Sequence, residues 1–396
     1  MSPKRRRRLT LGTCGGTHFL HDGITDGLFV LLPLWTEAFG LSLTQAGLIK
    51  TAFSGALSVT QIPAGFLAER TGERIILAVG TVCAGVGYMC LGLAGGFLGL
   101  ILAVAIAGIG CGTQHPLSSS LIAKAFDPPV RRTALGTFNF SGDLGKVAMP
   151  AILAAAATAV GWQSGVVGVG LFVAVCGIGV FVLLAAIGAG GAPEQAPNTP
   201  EDAAPGWGIH HRRGFTTLST IFLIDSGSRT AFLTFVPFLL IAKGAAVESV
   251  GFALALIFAG GAAGKFLCGF LADRVGIIRT VVVTELATGA GILALLFLPL
   301  GGALVLLPLV GMALNGTSSV LYGTVTDFVS PERQSRAFGL FYTIGIGASA
   351  VAPAIFGVVS DGAGVPTTLA IVAGMVFSVV PLCPLLAACL PPAKAA

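Results

Sequence analysis

Charge is scarce in this sequence. Lys, Arg, Asp and Glu make up 10% of its 396 residues, hydrophobic types make up 55%, and the mean hydropathy is +0.92. A soluble domain carries about a quarter charged residues. A chain this apolar cannot cover itself with polar surface, so lipid is its expected solvent. The phosphate-cradling pattern G-x-x-x-x-G-K-[ST] is absent, which argues against ATP-driven work. Paired cysteines are absent too: the eight Cys show no C-x-x-C spacing and lie in apolar segments, so they read as packing residues and not as disulfides or metal ligands. Histidine is limited to five positions. Glycine, at 57 residues, is abundant, as suits close packing of membrane helices.

The little charge present is clustered. Lys4 and Arg5 to Arg8 form one basic block. It reads as a cytoplasmic anchor before a membrane helix and not as a nucleic-acid arm. The apolar segment that follows is too long for a signal-peptide core, contains acids and lacks an A-x-A site, so it is expected to be retained as the first helix.

A crossing helix needs roughly 20 apolar residues. That ruler predicts an all-α membrane protein of twelve transmembrane helices, at 11–38, 43–68, 75–94, 97–124, 133–159, 164–189, 215–242, 248–271, 277–298, 302–327, 335–358 and 365–390. The helices divide into an N-terminal six-helix bundle (1–190), a polar, Pro-rich linker (191–214) and a C-terminal six-helix bundle (215–396). With the N-terminus inside, Arg70, Arg74, Lys124, Arg131, Arg132, Arg212, Arg213, Arg274, Arg279, Arg333, Arg336 and Lys394 all fall inside. Only Lys243 falls outside. The positive-inside rule therefore predicts that both termini are cytoplasmic.

The two halves repeat. GFLAERTGERI from Gly65 is echoed 204 residues later by GFLADRVGIIR from Gly269, and FLHD at Phe19 to Asp22 by FLID at Phe222 to Asp225. Pro128, Gly136 and Pro150 find Pro331, Gly339 and Pro353 in the same register, give or take one residue. This is the signature of two pseudo-symmetric bundles. The segment Gly65, Leu67, Ala68, Glu69, Arg70, Gly72, Arg74, with its copy Gly269, Leu271, Ala272, Asp273, Arg274, Gly276, resembles the signature loop of the major facilitator superfamily. That resemblance runs along the whole chain. HFLHD at His18 to Asp22, LSLTQAGLI at Leu41 to Ile49 and HPLSS at His115 to Ser119 are similar to the fosmidomycin-resistance group of efflux proteins. Leu117 and Asp143 stand where that group usually has an acid and an Asn. Gly136, Gly145 and Pro150 fit part of the antiporter motif, with Met149 in place of its third Gly. The resemblance implies alternating access around a site between the halves. It also implies a conformational latch at Gly65, Glu69, Arg70, Arg74, Asp273 and Arg274.

Ionisable groups in a bilayer core are costly and generally face a cavity or a partner. His18, His21, Asp22 and Asp26 share one face of the first helix, and Asp22 falls near the midplane. They are the candidate proton-coupling residues, because a carboxylate can load and release a proton as its hydration and neighbours change. Asn139, Asp143 and Lys146, with Asp225, Arg229 and His115, are the candidate substrate-binding residues. In the repeat Asp22 aligns with Asp225, so both read equally as polar clasps, whereas Asp26 aligns with Arg229 and the mismatch points to specialisation. Asp143 and Lys146 read either as a site or as a local ion pair. Lys50 reads as a snorkelling side chain near a helix end. His18, His21 and Asp22 have a spacing that permits a metal, but few other histidines exist to complete one.

These readings predict a proton-coupled secondary transporter in the cell inner membrane, exporting a small organic anion or drug-like compound by antiport, in the manner of efflux and drug-resistance proteins. The alternatives are an importer of a small organic anion on the same fold, and an intramembrane metal enzyme. The expected partners are a small-molecule substrate, protons and the lipid bilayer. Nucleic acid, cofactor and metal are not expected, nor is catalysis, and a monomer is expected.

Overall fold

The computed structural model describes residues 1–191, 207–330 and 334–390. Thirteen α-helices are found among them: α1 (Pro3–Phe39), α2 (Leu43–Thr71), α3 (Glu73–Gly92), α4 (Phe97–Cys111), α5 (Gln114–Ala125), α6 (Pro128–Val160), α7 (Trp162–Ala186), α8 (Arg212–Ala242), α9 (Val247–Val275), α10 (Ile277–Phe297), α11 (Leu300–Thr324), α12 (Gln334–Phe377) and α13 (Cys383–Ala387). They form the expected twelve spans once two features are read. The fourth span is broken into α4 and α5, and α12 contains two spans joined at Gly364.

The break in the fourth span has a local cause. Pro116 offers no N–H to the carbonyl of Gly112, and its ring clashes with that carbonyl in a continuous helix. At the third position of a new helix the missing N–H is no loss. The chain therefore turns at Gly112 and Thr113 and restarts at Gln114.

The junctions carry the repeat into the backbone. Gly72 (φ 87°, ψ 148°) and Gly276 (φ 94°, ψ 152°) each link two helices through one residue. Gly161 (φ 81°, ψ 149°) and Gly364 (φ 82°, ψ 159°) do the same at the other repeated corner. This region is essentially restricted to glycine, which is why both halves keep Gly at these four corners.

Nine helical stretches among the described residues are long and apolar enough to cross a membrane. α1, which carries the basic block, His18, His21, Asp22 and Asp26, and α2, which carries Lys50 and several Ser, Thr and Gln, are not among them. The side chains left bare are apolar: Val59, Leu98, Phe172, Phe266, Phe297 and Val305 are all more than half exposed, as lipid-facing residues should be.

The chain divides into two compact units, 1–198 with 245–255, and 199–244 with 256–396. In the first, α1 packs on α6 and α5, and α3 on α4 and α7. Its core includes Cys14, Leu77, Leu117, Leu121, Phe138 and Leu184. In the second, α8 packs on α12 and α10 on α11, around Phe222 and Phe341, whose rings stack at 4.3 Å. The first turns of α9, expected with the C-terminal bundle, group with the first unit: Gly251 lies against Ala154 and the Pro150 carbonyl. Most of the expected linker lies outside the described residues. Its end is tied down, with Ile209 bridged to Val329 and the His210 N–H donating to the Phe328 carbonyl at 3.1 Å.

Candidate functional site

The first unit holds a buried ionic cluster centred on Asp22. His18 and Asp22 are four apart on α1 and so share a face; His18 Nε2 lies 3.1 Å from Asp22 Oδ2. The restart at Gln114 places His115 at the head of α5, with Nε2 3.3 Å from Asp22 Oδ1. Lys146 reaches across from α6, its Nζ 3.2 Å from Asp22 Oδ2 and 3.8 Å from Asp26 Oδ2. Asp22 itself is 8% exposed.

Glycines make this approach possible. A Cβ on Gly145 would overlap the Phe19 carbonyl, and one on Gly23 would meet the Gly145 carbonyl at 3.0 Å. The α1 and α6 backbones therefore touch, and the residue after Gly145 is Lys146. Gly142 leaves room for the His18 ring. That ring lies 4.2 Å from the Phe138 ring and edge-on to His115 at 4.9 Å. His18 Nδ1 is 2.8 Å from the Phe138 carbonyl oxygen. A carbonyl only accepts, so Nδ1 carries the proton and donates it.

The remaining residues singled out in the sequence divide clearly. His21 turns away: its Nε2 donates to Thr81 Oγ1 at 3.0 Å, since the Thr81 hydroxyl is committed to the Leu77 carbonyl. Asp143 is buried on α6 one turn before Lys146, whereas Asn139 is exposed. Lys50 does not snorkel. It is 3% exposed, donates to the Thr25 carbonyl at 2.9 Å and lies over the Phe29 and Phe53 rings. Burial beside two aromatic faces and a helix carbonyl replaces the water it was expected to seek.

In the second unit Asp225 is 4% exposed and its Oδ2 has no hydrogen-bond partner. Arg229, one turn on, donates to Ser226 Oγ at 3.5 Å. Glu285 on α10, left without a role in the sequence reading, is equally buried, near the Thr317–Thr284 hydroxyl pair.

Of the latch residues, Glu69 and Arg70 are exposed, and Gly65 has open space around its α-carbon. Arg74 stacks over the Phe181 ring at 5.3 Å, and Arg274 over Phe270 at 4.2 Å. The Asp273 side chain lies outside the described residues. A different acid is engaged: Glu73, 6% exposed, accepts from Ser120 Oγ at 2.9 Å and pairs with Lys124, tying the head of α3 to the tail of α5.

The family model described as Major Facilitator Superfamily matches residues 15–344 and 218–396. The chain belongs to the Major Facilitator Superfamily. This transporter is 25% identical over 394 residues to the "Probable sulfoacetate transporter SauU" of Cupriavidus necator, covering 91% of this chain and 89% of that one. It is 24% identical over 357 residues to the hexuronate transporter of Bacillus subtilis, covering 86% and 84%. The fosmidomycin resistance protein of Escherichia coli is 29% identical over 144 residues, 36% of this chain and 35% of that one. The likeness to the fosmidomycin group is thus one of several, and it spans about a third of the transporter. A crystal structure of a bacterial homolog to the human lysosomal transporter Spinster shares the fold at TM-score 0.81 and 15% identity, covering 99% of this chain and 100% of that one. The relatives are transporters, not enzymes.

Proposed function

We propose that this transporter carries small organic anions and couples them to protons at the Asp22 cluster. The observation that carries the reading is the sharing of the Lys146 ammonium by Asp22 and Asp26. With no substrate bound, Lys146 stands beside both carboxylates as their shared counter-charge. An anion that takes Lys146, with His115 as a second donor, removes that compensation. A buried carboxylate without its cation then takes up a proton. Anion and proton therefore bind synergistically, which favours their movement together. The nearly full-length likeness to sulfoacetate and hexuronate transporters supports a carboxylate-bearing substrate.

Export by proton exchange is the second reading. It is favoured by Gly136, Gly145 and Pro150 of the antiporter motif and by the fosmidomycin-resistance relative. The Lys and Arg asymmetry supports placement in the inner membrane with both termini inside. One experiment tests these points: flux of sulfoacetate, a hexuronate and fosmidomycin in proteoliposomes under an imposed pH gradient of either sign. Uptake driven by external acid supports symport, and expulsion of preloaded anion by external acid supports export. Flux indifferent to the gradient removes the proton from the mechanism.

A further inference from the structure

The Asp22 cluster has a geometry that proton and anion chemistry do not require. His18 Nε2, an Asp22 carboxylate oxygen and His115 Nε2 all lie within 4.8 Å of one another. The contacts to Asp22 go to different oxygens, 3.1 Å from His18 Nε2 to Oδ2 and 3.3 Å from His115 Nε2 to Oδ1. Ligands bound to zinc at about 2.0–2.1 Å in a tetrahedron stand about 3.3 Å apart. We propose that His18, Asp22 and His115 form a binding site for a divalent transition-metal ion of the zinc class, whose arrival displaces the Lys146 ammonium from Asp22.

Two further observations support the site. His18 is 3% exposed, and its buried Nε2 faces the Asp22 carboxylate at 3.1 Å. Its other nitrogen donates to the Phe138 carbonyl at 2.8 Å. This is the outer-shell bond that metal-ligating histidines make, and it fixes the tautomer that turns the Nε2 lone pair toward the ligand position. Access exists as well. The His115 side chain is 44% exposed, so one ligand is reachable from solvent and can swing as an ion arrives. Three protein ligands leave a fourth position for water or for an anion.

Lys146 is the opposing group. Its ammonium sits 3.2 Å from Asp22 Oδ2, the oxygen that His18 faces, and a dication drawn to the same carboxylate repels it. The Lys146 side chain is 28% exposed, so it has room to withdraw. Metal and ammonium are thus alternative occupants. His21, which the sequence spacing offered as a ligand, is committed to Thr81 and takes no part.

The inference is independent of proton coupling, and its test involves no flux. Untagged protein carrying His210→Ala and His211→Ala, to remove linker histidines, is titrated with Co2+ and then with Zn2+ in detergent micelles. We expect one equivalent of Co2+ bound with the intense visible absorption of a four-coordinate site, displaced by Zn2+. Affinity should fall at least about tenfold with His115→Ala and with Asp22→Asn, and rise with Lys146→Met. Because Asp22→Asn risks misfolding, the half-exposed His115 is the deciding variant, with monodisperse elution as the folding control. Binding unchanged by His115→Ala, or only the pale absorption of six-coordinate Co2+, overturns the site. A functional metal site with gradient-indifferent flux would defeat proton coupling and leave this inference standing.

Discussion

Lys146 on α6 stands between two carboxylates of α1, 3.2 Å from Asp22 and 3.8 Å from Asp26. Removing its charge leaves two acids one turn apart without the cation they share. We predict that Lys146→Met lowers anion flux in proteoliposomes by roughly tenfold or more, in line with loss of a charged hydrogen bond worth about 1.5–3 kcal/mol. Lys146→Arg should keep part of the rate. An equal fall for an uncharged test compound would mean that the bundle is damaged and that Lys146 does not select charge.

The helix contact that delivers Lys146 can be tested separately. Gly145 and Gly136 lie on the same helix and both fit the antiporter motif, but only Gly145 abuts another backbone. Gly145→Ala should push α1 from α6 and destabilise the protein by about 1–3 kcal/mol. Gly136→Ala meets nothing within 4 Å and gains helix propensity, so it should be neutral or stabilising by about 0.5–1 kcal/mol. Thermal unfolding in detergent separates the two. A neutral Gly145→Ala would show that the two helices can part without cost.

These sites mark where the sequence was legible. The twelve spans, the repeat and the charged face of α1 follow from periodicity and local spacing, and the paired corners at Gly72/Gly276 and Gly161/Gly364 repeat the same backbone angles. The cluster around Asp22 was only half visible. His18 is four residues away, whereas His115 and Lys146 arrive through a Pro-induced helix break and a Gly–Gly helix contact, both tertiary events. Lys50 was misread for the same reason: nothing near it in sequence announces that Phe29 and the Thr25 carbonyl will receive it.

The clasp between α3 and α5 gives a contrast between two neighbouring acids. Glu73 is buried with Ser120 and Lys124, while Glu69 is exposed. Lys124 is largely in solvent, so the pair is worth about 1 kcal/mol or less. We predict that Glu73→Gln lowers the unfolding temperature slightly and makes cysteines placed along α5 more reactive, and that Glu69→Gln leaves stability unchanged. If Glu69→Gln also alters cysteine reactivity, Glu69 acts in a second conformation as the signature loop implies.

The second unit poses the question of whether Arg229 serves its own fold or the substrate. Asp225 is buried with an unpartnered oxygen, and the Arg229 charge, one turn away on α8, acts on it. Removing the cation alone leaves a buried acid without the opposite charge that acts on it. Arg229→Gln should therefore lower both stability and flux. Adding Asp225→Asn removes the stranded charge, so the double variant should regain much of the lost stability, a coupling visible in a double-mutant cycle. Flux is the discriminating measurement. If Arg229 grips the anion, the double variant unfolds near the wild-type temperature yet carries sulfoacetate or hexuronate poorly, and Arg229→Lys recovers only part because the planar fork is lost. If the double variant transports at the wild-type rate, Arg229 is a structural partner of Asp225 and the anion is held elsewhere.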